Sequence, residues 1–291
     1  MRLLVTGSMG QLGSEIKDLS INYDCIEFFF KDLPELDICD PEALEKFINR
    51  NQINAVINCA AYTNVDKAED NIKMANQVNK KGVINIINAL NITGGKLIHI
   101  STDYVYNGNN LVPYKETDMV DPLGVYGKSK RAGELAVIDS KIDAIIIRTS
   151  WLYSAHGSNF VKTMLKLGND REKIGVVIDQ LGTPTNASDL AKACLEILKS
   201  RINKKISSLG CLYHYSNEGV ASWYDFSVAI MELGDVDCKI NPIKTTDYPT
   251  LAKRPKYSVL DKSKIKTDFK IEIPYWRDSL KDCITKIKLD S

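Results

Sequence analysis

The amino-acid sequence predicts an α/β fold, in which a doubly wound parallel sheet is followed by a smaller and more irregular C-terminal region. In the first half, short apolar runs rich in β-branched residues alternate with longer segments of helical periodicity. Such alternation is typical of parallel strands that are covered by helices on both faces. After about residue 150 the alternation becomes irregular and prolines are more frequent. We therefore expect a first domain over residues 1–150, to which later segments return, and a second region over 151–291.

The predicted strands and helices of the first half follow one another in turn. Strands are predicted at Arg2–Thr6, Cys25–Phe30, Ala55–Asn58, Lys96–Ser101 and Ala144–Arg148, and helices at Gln11–Leu19, Pro41–Asn51, Ile72–Leu90 and Tyr126–Asp139. The first and third strands contain uninterrupted apolar runs, as strands buried on both faces do. Asp40 followed by Pro41 predicts a helix start, because aspartate caps the first N–H groups and proline is tolerated at the first helical position.

Composition and charge exclude several classes of protein. The chain of 291 residues has 38 Lys+Arg against 37 Asp+Glu, and a net charge of +1 gives no electrostatic argument for binding nucleic acid or an anionic membrane. No apolar run approaches the roughly 20 residues of a membrane-spanning helix. The seven cysteines are dispersed and form no Cys-x-x-Cys pair. Their spacing predicts reduced thiols in a cytoplasmic protein.

A glycine-rich loop between the first strand and the first helix predicts a dinucleotide site. Gly7, Gly10 and Gly13 have the spacing Gly-x-x-Gly-x-x-Gly. Glycines permit a tight turn and let backbone N–H groups approach a pyrophosphate, while the helix N-terminus adds a favourable partial charge. The alternative is a strand-to-helix turn without a ligand. No Gly-Lys-Ser/Thr follows the glycines, which excludes a Walker-type loop.

The end of the second strand leaves the choice between NAD and NADP open. Lys31 and Asp32 stand where the adenosine ribose of a dinucleotide is expected. A carboxylate suits a ribose 2′-hydroxyl, whereas a cation suits a 2′-phosphate.

Three residues predict an acid–base site at the carboxyl end of the sheet. Tyr126 and Lys130 are four residues apart and hence on one helix face. A nearby ammonium favours the phenolate and lowers the tyrosine pKa from about 10. Thr102 follows the fourth strand, at the edge where open α/β sheets bind ligands, and can hydrogen-bond a carbonyl. Either motif alone is compatible with a surface pair or a turn, but their order after the glycine loop favours catalysis.

Further motifs follow along nearly the whole chain: Val56–Thr63, Val65–Glu69, Ser101–Tyr106, Val125–Glu134, Arg148–Trp151, Asn159–Met164, Asp179–Thr185 and Lys253–Pro255. Together with the glycine loop, this set resembles the extended short-chain dehydrogenase/reductase superfamily and, within it, the dTDP-4-dehydrorhamnose reductase family. The resemblance implies a Rossmann-type NAD(P)-binding domain over 1–150 and a mainly substrate-binding region over 151–291. It also implies NADPH or NADH as cofactor and a dTDP-sugar as substrate.

The resemblance further implies roles for individual residues. Cofactor contacts are expected from Gly7, Gly10, Gln11, Leu12 and Gly13 at the pyrophosphate, Lys31 and Asp32 at the ribose, Asp37 and Ile38 near the adenine, and Ala60, Ala61 and Tyr62 along the groove. Tyr126 would protonate the oxygen at sugar C4, Thr102 would polarise that carbonyl, and Lys130 would hold the nicotinamide ribose. Substrate contacts are expected from Thr102, Asp103, Tyr104, Tyr126, Trp151 and Arg254, the last with the diphosphate.

The implied reaction is reduction of dTDP-4-dehydro-6-deoxy-L-mannose to dTDP-L-rhamnose. One alternative is another nucleotide-4-ketosugar reductase, and another is a non-catalytic NADP-binding regulatory subunit. The presence of Thr102, Tyr126 and Lys130 argues against the latter. An epimerase or dehydratase is disfavoured, since dehydratases usually place acids directly after the catalytic threonine and Tyr104 follows Asp103 here.

Two departures from the family pattern concern assembly and packing. Some relatives dimerise around magnesium bound by glutamates, and Glu15 matches one such position, but Ser188 stands where a second is expected. We therefore expect no required metal, and either a monomer or a homodimer. Tyr106 replaces the more usual phenylalanine.

Asp66 and Glu69 are interpreted as acids favoured in the first turn of a helix, without a chemical role.

Overall fold

A computed structural model describes residues 1–200 and 212–289, so that Cys211 lies outside the described residues. The strands are β1 (Arg2–Thr6), β2 (Glu27–Lys31), β3 (Ala55–Asn58), β4 (Lys96–Thr102), β5 (Asp143–Thr149), β6 (Leu152–Tyr153), β7 (Lys173–Val177), β8 (Leu181–Gly182), β9 (Thr185–Asn186), β10 (Leu212–His214), β11 (Ala221–Ser222) and β12 (Lys239–Ile243). A parallel sheet of six strands forms the centre of the fold, in the order β10-β5-β4-β3-β1-β2. This arrangement confirms the predicted α/β class.

Helices cover both faces of this sheet. They are α1 (Gln11–Leu19), α2 (Pro41–Arg50), α3 (Val65–Asp70), α4 (Ile72–Asn76), α5 (Val83–Thr93), α6 (Val125–Ile138), α7 (Phe160–Asp170), α8 (Ala187–Ser200), α9 (Trp223–Gly234), α10 (Ser263–Phe269) and α11 (Trp276–Leu289). Apolar side chains of α1 and α8 pack on one face of the sheet, and those of α2, α5 and α6 pack on the other. The alternating elements of the first half therefore bury both sides of the same strands.

The predicted elements of the first half occur with small shifts at their ends. Asp40 caps α2 as expected, accepting from the backbone N–H groups of Glu42 at 3.1 Å and Ala43 at 3.0 Å. The helix predicted over Ile72–Leu90 is divided into α4, a π-helical turn over Gln77–Gly82, and α5. Helix α3 was not predicted, because its six residues are too few to show a periodic pattern.

The second half of the chain contributes to both parts of the fold. Strand β10 pairs with β5, and α8 packs on α1. A separate hydrophobic cluster combines residues of α7, α9 and α11 with β7 and β12. Tyr153, Phe226 and Trp276 are among its buried aromatic side chains. The division at residue 150 thus remains a prediction about domains, while β10 and α8 are the later segments that contact the sheet.

A buried ion pair joins α6 to the sheet. Glu134 and Arg148 are 0% and 1% exposed, and the guanidinium donates from Nε and Nη2 to the two carboxylate oxygens, each at 2.7 Å. Ser101 Oγ also donates to Glu134 Oε1, at 2.6 Å. Arg148 Nη1 donates to the hydroxyl of Tyr106 at 2.7 Å, and that hydroxyl lies 2.9 Å from His214 Nε2. The hydroxyl that distinguishes Tyr106 from phenylalanine is therefore part of this network.

We predict that Arg148→Met lowers the free energy of unfolding by about 3 kcal/mol, because it removes the buried cation that bonds both oxygens of Glu134 and leaves only the partly exposed Arg131, at 2.8 Å from one of them. Urea denaturation at pH 7 measures the effect. Arg277→Met is the matched control, since Arg277 pairs with Glu232 at the surface, where ion pairs contribute at most about 1 kcal/mol. Equal losses in the two variants would contradict a structural role for the buried pair.

Candidate active site

A cavity of about 870 Å³ lies at the carboxyl edge of the central sheet. It is lined by residues that follow β1, β2, β3, β4 and β5. Strand β1 lies between β2 and β3 at the point where the strand order reverses direction, and ligands of open α/β sheets bind outside the strand ends at such a point. The topology therefore places one large cleft where the predicted loops converge.

The glycine loop leaves the N-terminus of α1 open to this cavity. Gly7 has a φ of +62°, and a Cβ there would lie 2.6 Å from the backbone nitrogen of Ala60, so only glycine fits. Gly10 precedes α1 and provides no side-chain cap for its first N–H groups. Gln11 Oε1 and Thr149 Oγ1 line the cavity and have no hydrogen-bond partner among the described residues. Uncapped N–H groups and unpaired polar atoms fit a bound dinucleotide.

Most of the predicted cofactor residues line the cavity, and two do not. Those that do are Gly7, Gly10, Gln11, Leu12, Asp32, Asp37, Ile38, Ala60, Ala61 and Tyr62, together with Tyr126 and Lys130. Gly13 does not line it. A Cβ on Gly13 would lie 2.5 Å from Gly7 O, so this glycine instead permits close packing of α1 against the loop. Lys31 also lies outside the lining, and its ammonium pairs with Glu35.

Asp32 is the charged group at the end of β2 that lies at the cavity. Its Oδ2 accepts from the backbone N–H of Met9 at 2.9 Å, and its Oδ1 accepts from that of Leu33 at 2.8 Å. The carboxylate therefore connects the end of β2 to the glycine loop. At this end of the cavity, Asp32 and Asp37 supply two carboxylates, whereas Lys31 is directed to Glu35.

Asn79 is a positioning residue that the sequence did not reveal. It is 1% exposed, and its side chain accepts from Tyr62 N at 2.9 Å and donates to Tyr62 O at 3.0 Å. Its amide also lies within 3.0 Å of Ser129 Oγ on α6. Asn79 belongs to the π-helical turn, a distortion that often accompanies functional sites. It fixes the cavity wall at Tyr62 relative to the helix that carries Tyr126.

Helix α6 brings Tyr126 and Lys130 to the cavity beside Thr102. Burial raises the pKa of Tyr126 to about 12, and a hydrogen bond with Thr102 acts in the opposite direction. The expected lowering of this pKa by Lys130 is wrong for this structure. Lys130 Nζ donates instead to Ile100 O at 2.6 Å, and burial lowers the pKa of Lys130 itself to about 8. Tyr126 is therefore protonated at neutral pH, as a general acid must be.

The hydroxyl of Thr102 forms hydrogen bonds with the two residues that follow it. Its Oγ1 donates to Asp103 Oδ1 at 3.1 Å and accepts from the N–H of Tyr104 at 3.2 Å. Donation to a substrate carbonyl therefore requires the hydroxyl to rotate away from Asp103. Asp103 is 1% exposed, and burial raises its pKa to about 6, against hydrogen bonds from Ser258 and Thr102 that lower it.

Trp151 forms a rigid wall of the same cavity. Its φ is +47°, an unusual value for a bulky residue, and its ring stacks on Trp223 at 3.6 Å between centroids. A Cβ on Gly182 would lie 2.6 Å from the Trp151 ring, so glycine permits this packing. Tyr104 also lines the cavity, and its ring packs edge-to-face on Tyr126 at 5.6 Å.

Arg254 lies outside the residues that line the cavity. Its guanidinium forms a bidentate ion pair with Asp66, with Nη2–Oδ2 and Nη1–Oδ1 distances of 2.7 Å and 3.2 Å. The charge of Arg254 lowers the pKa of the Tyr104 hydroxyl, against the larger effect of burial. The structure thus fixes the direction of Arg254 through Asp66, an acid to which the sequence assigned no role.

A cluster of titratable groups lies away from this cavity, between α1 and α11. Glu15, Asp18 and His156 place possible metal ligands within 4.8 Å of one another. The ammonium of Lys286 lies 3.3 Å from Glu15 Oε2 and 2.6 Å from Asp18 Oδ2, so a cation of the chain contacts both carboxylates. Ser154 Oγ donates to the other oxygen of Glu15 at 2.5 Å. The expectation that no metal is required stays a prediction.

The sequence matches the model of the family described as the RmlD substrate binding domain over residues 1–289. This chain belongs to that family. It is 41% identical over 288 residues to the dTDP-4-dehydrorhamnose reductase of Aggregatibacter actinomycetemcomitans, an alignment that covers 97% of each chain.

Two solved structures have the same fold over their whole length. One is a dTDP-4-dehydrorhamnose reductase from Clostridium acetobutylicum, with 39% identity, a TM-score of 0.93, and coverage of 99% of this chain and 100% of that one. The other is the Bacillus anthracis dTDP-4-dehydrorhamnose reductase in complex with NADP, with 34% identity, a TM-score of 0.91, and coverage of 98% and 99%. Within the described residues, no helix is long and apolar enough to cross a membrane.

We predict that Asp32→Asn improves the affinity for NADPH relative to NADH by about tenfold, since it removes a negative charge from the expected position of the 2′-phosphate. Asparagine keeps an oxygen that can accept from Met9 N. Fluorescence titration with both cofactors measures the ratio of dissociation constants. Lys31→Gln is the control and should change this ratio less than twofold, because Lys31 pairs with Glu35. A selective loss of NADPH affinity in Lys31→Gln would show that Lys31 contacts the phosphate.

We predict a pH-dependent difference in stability between the wild type and Asp103→Asn. With its pKa raised from 3.8 to about 6, folded Asp103 binds more protons than unfolded Asp103 between these values. The free energy of unfolding of the wild type should therefore fall relative to the variant from pH 4 to pH 6, by about 3 kcal/mol, and stay level above. Urea denaturation across this range measures it. A difference in free energy of unfolding between the wild type and Asp103→Asn that stays constant over this range would contradict the prediction.

Proposed function

We propose that this chain reduces the 4-keto group of dTDP-4-dehydro-6-deoxy-L-mannose to give dTDP-L-rhamnose, with NADPH or NADH as reductant. The observation that carries the proposal is the convergence of Tyr126, Thr102 and Lys130 in one cavity with the open N-terminus of α1. Membership of the family supports it, as does the bound NADP in the Bacillus anthracis relative.

The proposed roles follow from the chemistry of each group. NADPH or NADH, when bound, supplies the hydride that reduces sugar C4. Tyr126 donates its hydroxyl proton to the carbonyl oxygen, and its pKa of about 12 keeps that proton available at neutral pH. Thr102 orients the same oxygen once its hydroxyl turns from Asp103. Lys130, charged below its pKa of about 8, would bind the nicotinamide ribose through its ammonium.

The remaining predicted contacts are proposed on the same basis. Asp103, Tyr104 and Trp151 line the cavity beside Tyr126 and would contact the sugar nucleotide. Residues 1–150 would bind the cofactor and residues 151–291 mainly the substrate. We propose a cytoplasmic location, supported by the free thiols of the six cysteines in the described residues. The assembly is proposed to be a monomer or a homodimer.

The test is oxidation of NADPH and NADH at 340 nm with the 4-keto sugar nucleotide generated in situ. We predict turnover by the wild type and a loss of about 10²–10⁴-fold in kcat for Tyr126→Phe, with cofactor binding retained. Tyr23→Phe is the matched control, because it removes a hydroxyl that bonds to Glu196 on the outer side of α8. Its kcat should stay within twofold of the wild type.

Three outcomes of this assay would redirect the proposal. Wild-type protein that binds cofactor and reduces only a different 4-keto sugar nucleotide would support another reductase of the same class. Absence of turnover across a panel of such substrates, with cofactor binding intact, would support a regulatory subunit. Unchanged turnover in Tyr126→Phe would overturn the assignment of the acid.

A further inference from the structure

Helix α3 directs two carboxylates to different parts of the site. Asp66 and Glu69 are three residues apart on this six-residue helix, whose N-terminus is capped by Asn64, with Oδ1 accepting from Lys67 N at 3.0 Å. Ala68 between them is fully buried and fixes the helix against its neighbours. Each carboxylate accepts a hydrogen bond from a distant part of the chain, which a purely solvated helix face would not do.

Asp66 binds the C-terminal segment that carries Arg254. Besides the bidentate pair with the guanidinium, Asp66 Oδ1 accepts from the backbone N–H of Ala252 at 3.1 Å. The Asp66 and Arg254 side chains are only 37% and 23% exposed. One carboxylate therefore fixes both the backbone of this segment and the direction of its arginine.

The guanidinium of Arg254 keeps one edge for a second anion. Asp66 and Ala252 O accept from the edge formed by Nη1 and Nη2. Nε–H and the second Nη2–H form the other edge, and no described residue accepts from Arg254 Nε. Val65, which precedes Asp66 on α3, lines the cavity. The charge of Arg254 also acts on the hydroxyl of Tyr104, whose ring packs on Tyr126 at 5.6 Å. A planar fork with one free edge suits a phosphate group, because two parallel N–H donors match two phosphate oxygens.

Glu69 caps the helix that carries the catalytic tyrosine. Its Oε1 accepts from the backbone N–H of Val125 at 2.9 Å, at the first residue of α6. Gly124 offers no side-chain cap, and a Cβ there would lie 2.6 Å from the same oxygen. Glycine thus admits a carboxylate from another helix to the position of the cap, next to Tyr126. A negative charge at a helix N-terminus is also favourable for the helix dipole.

We propose that Asp66 and Glu69 are positioning residues with separate tasks: Asp66 holds Arg254 ready for the diphosphate of the sugar nucleotide, and Glu69 holds the N-terminus of α6 so that Tyr126 reaches the carbonyl oxygen. This inference rests on the proposed function for the identity of the substrate. The two tasks predict opposite kinetic signatures from two acids on one short helix.

The Asp66 arm of the test separates substrate binding from chemistry. Asp66→Ala should raise KM for the sugar nucleotide and the dissociation constant of dTDP about tenfold, while kcat and cofactor affinity stay within twofold. Calorimetric titration with dTDP measures binding without turnover. Asp70→Ala is the control, because Asp70 is an exposed carboxylate on the same helix. Unchanged dTDP affinity in Asp66→Ala would overturn this half of the proposal.

The Glu69 arm uses rescue by a conservative variant. Glu69→Ala should lower kcat about 10–100-fold with KM for both substrates within threefold, because a small displacement of Tyr126 slows proton transfer. Glu69→Gln retains an oxygen for Val125 N–H and should recover most of kcat. Thermal melting of both variants shows whether the folded fraction accounts for the loss. A loss of kcat that follows the folded fraction, or equal losses in both variants, would overturn this half.

Failure of the inference differs from failure of the proposed function. If the wild type does not reduce the sugar nucleotide, the proposed function fails, and dTDP binding still compares Asp66→Ala with Asp70→Ala. If the wild type turns over and the variants show no division between KM and kcat, the function stands and the positioning roles are wrong.

Discussion

The bidentate ion pair between Glu134 and Arg148 is the contact on which the geometry of the cleft depends. It binds α6 to β5 with both side chains buried, where the attraction between the charges is less screened than at the surface. Lys130 lies about one helical turn before Glu134, and Tyr126 lies about two turns before it, so their positions follow from this anchor. The same helix is held at its beginning by Glu69. A helix fixed at both ends presents its side chains to the cavity without a flexible loop.

Burial of ionisable groups that line the cavity has an electrostatic cost, because the charged form loses its contact with water. Lys130 is 2% exposed and Asp103 is 1% exposed, and neither has an ion-pair partner of opposite charge at hydrogen-bond distance among the described residues. Their pKa values move towards neutrality for this reason, to about 8 and about 6. A buried acid, a buried ammonium and a protonated tyrosine together are typical of a functional site, since such shifts cluster where chemistry occurs.

The sequence predicted those features that depend on neighbouring residues. The glycine loop, the N-cap at Asp40 and the pairing of Tyr126 with Lys130 on one helix face are local patterns, and all three occur in the structure. The parallel sheet followed from the alternation of strands and helices. The order of the strands could not be predicted in this way, because it depends on contacts between residues that are far apart in the chain. The return of β10 to the edge of the sheet is likewise determined by tertiary packing.

Long-range contacts account for the residues that sequence reasoning missed. Asn79 connects Tyr62 to α6, and Asp66 meets Arg254 across 188 positions of the chain. Nothing in the local pattern distinguishes these side chains from surface polar residues. The expected effect of Lys130 on the Tyr126 pKa was wrong, because the ammonium turns to a backbone carbonyl. Residue types at helical spacing predict proximity, but not the direction of a flexible side chain.

The most direct test of the proposed reduction at sugar C4 is transfer of deuterium from cofactor deuterated at nicotinamide C4. The 4-keto sugar nucleotide is converted with the pro-R and pro-S deuterated forms separately, and the product is analysed by NMR and mass spectrometry. A reductase with one fixed cofactor orientation should place one deuterium at sugar C4 from one form and none from the other, with one cofactor oxidised per product. Product that forms without net cofactor oxidation, or carries no deuterium at C4 from either form, would contradict the account.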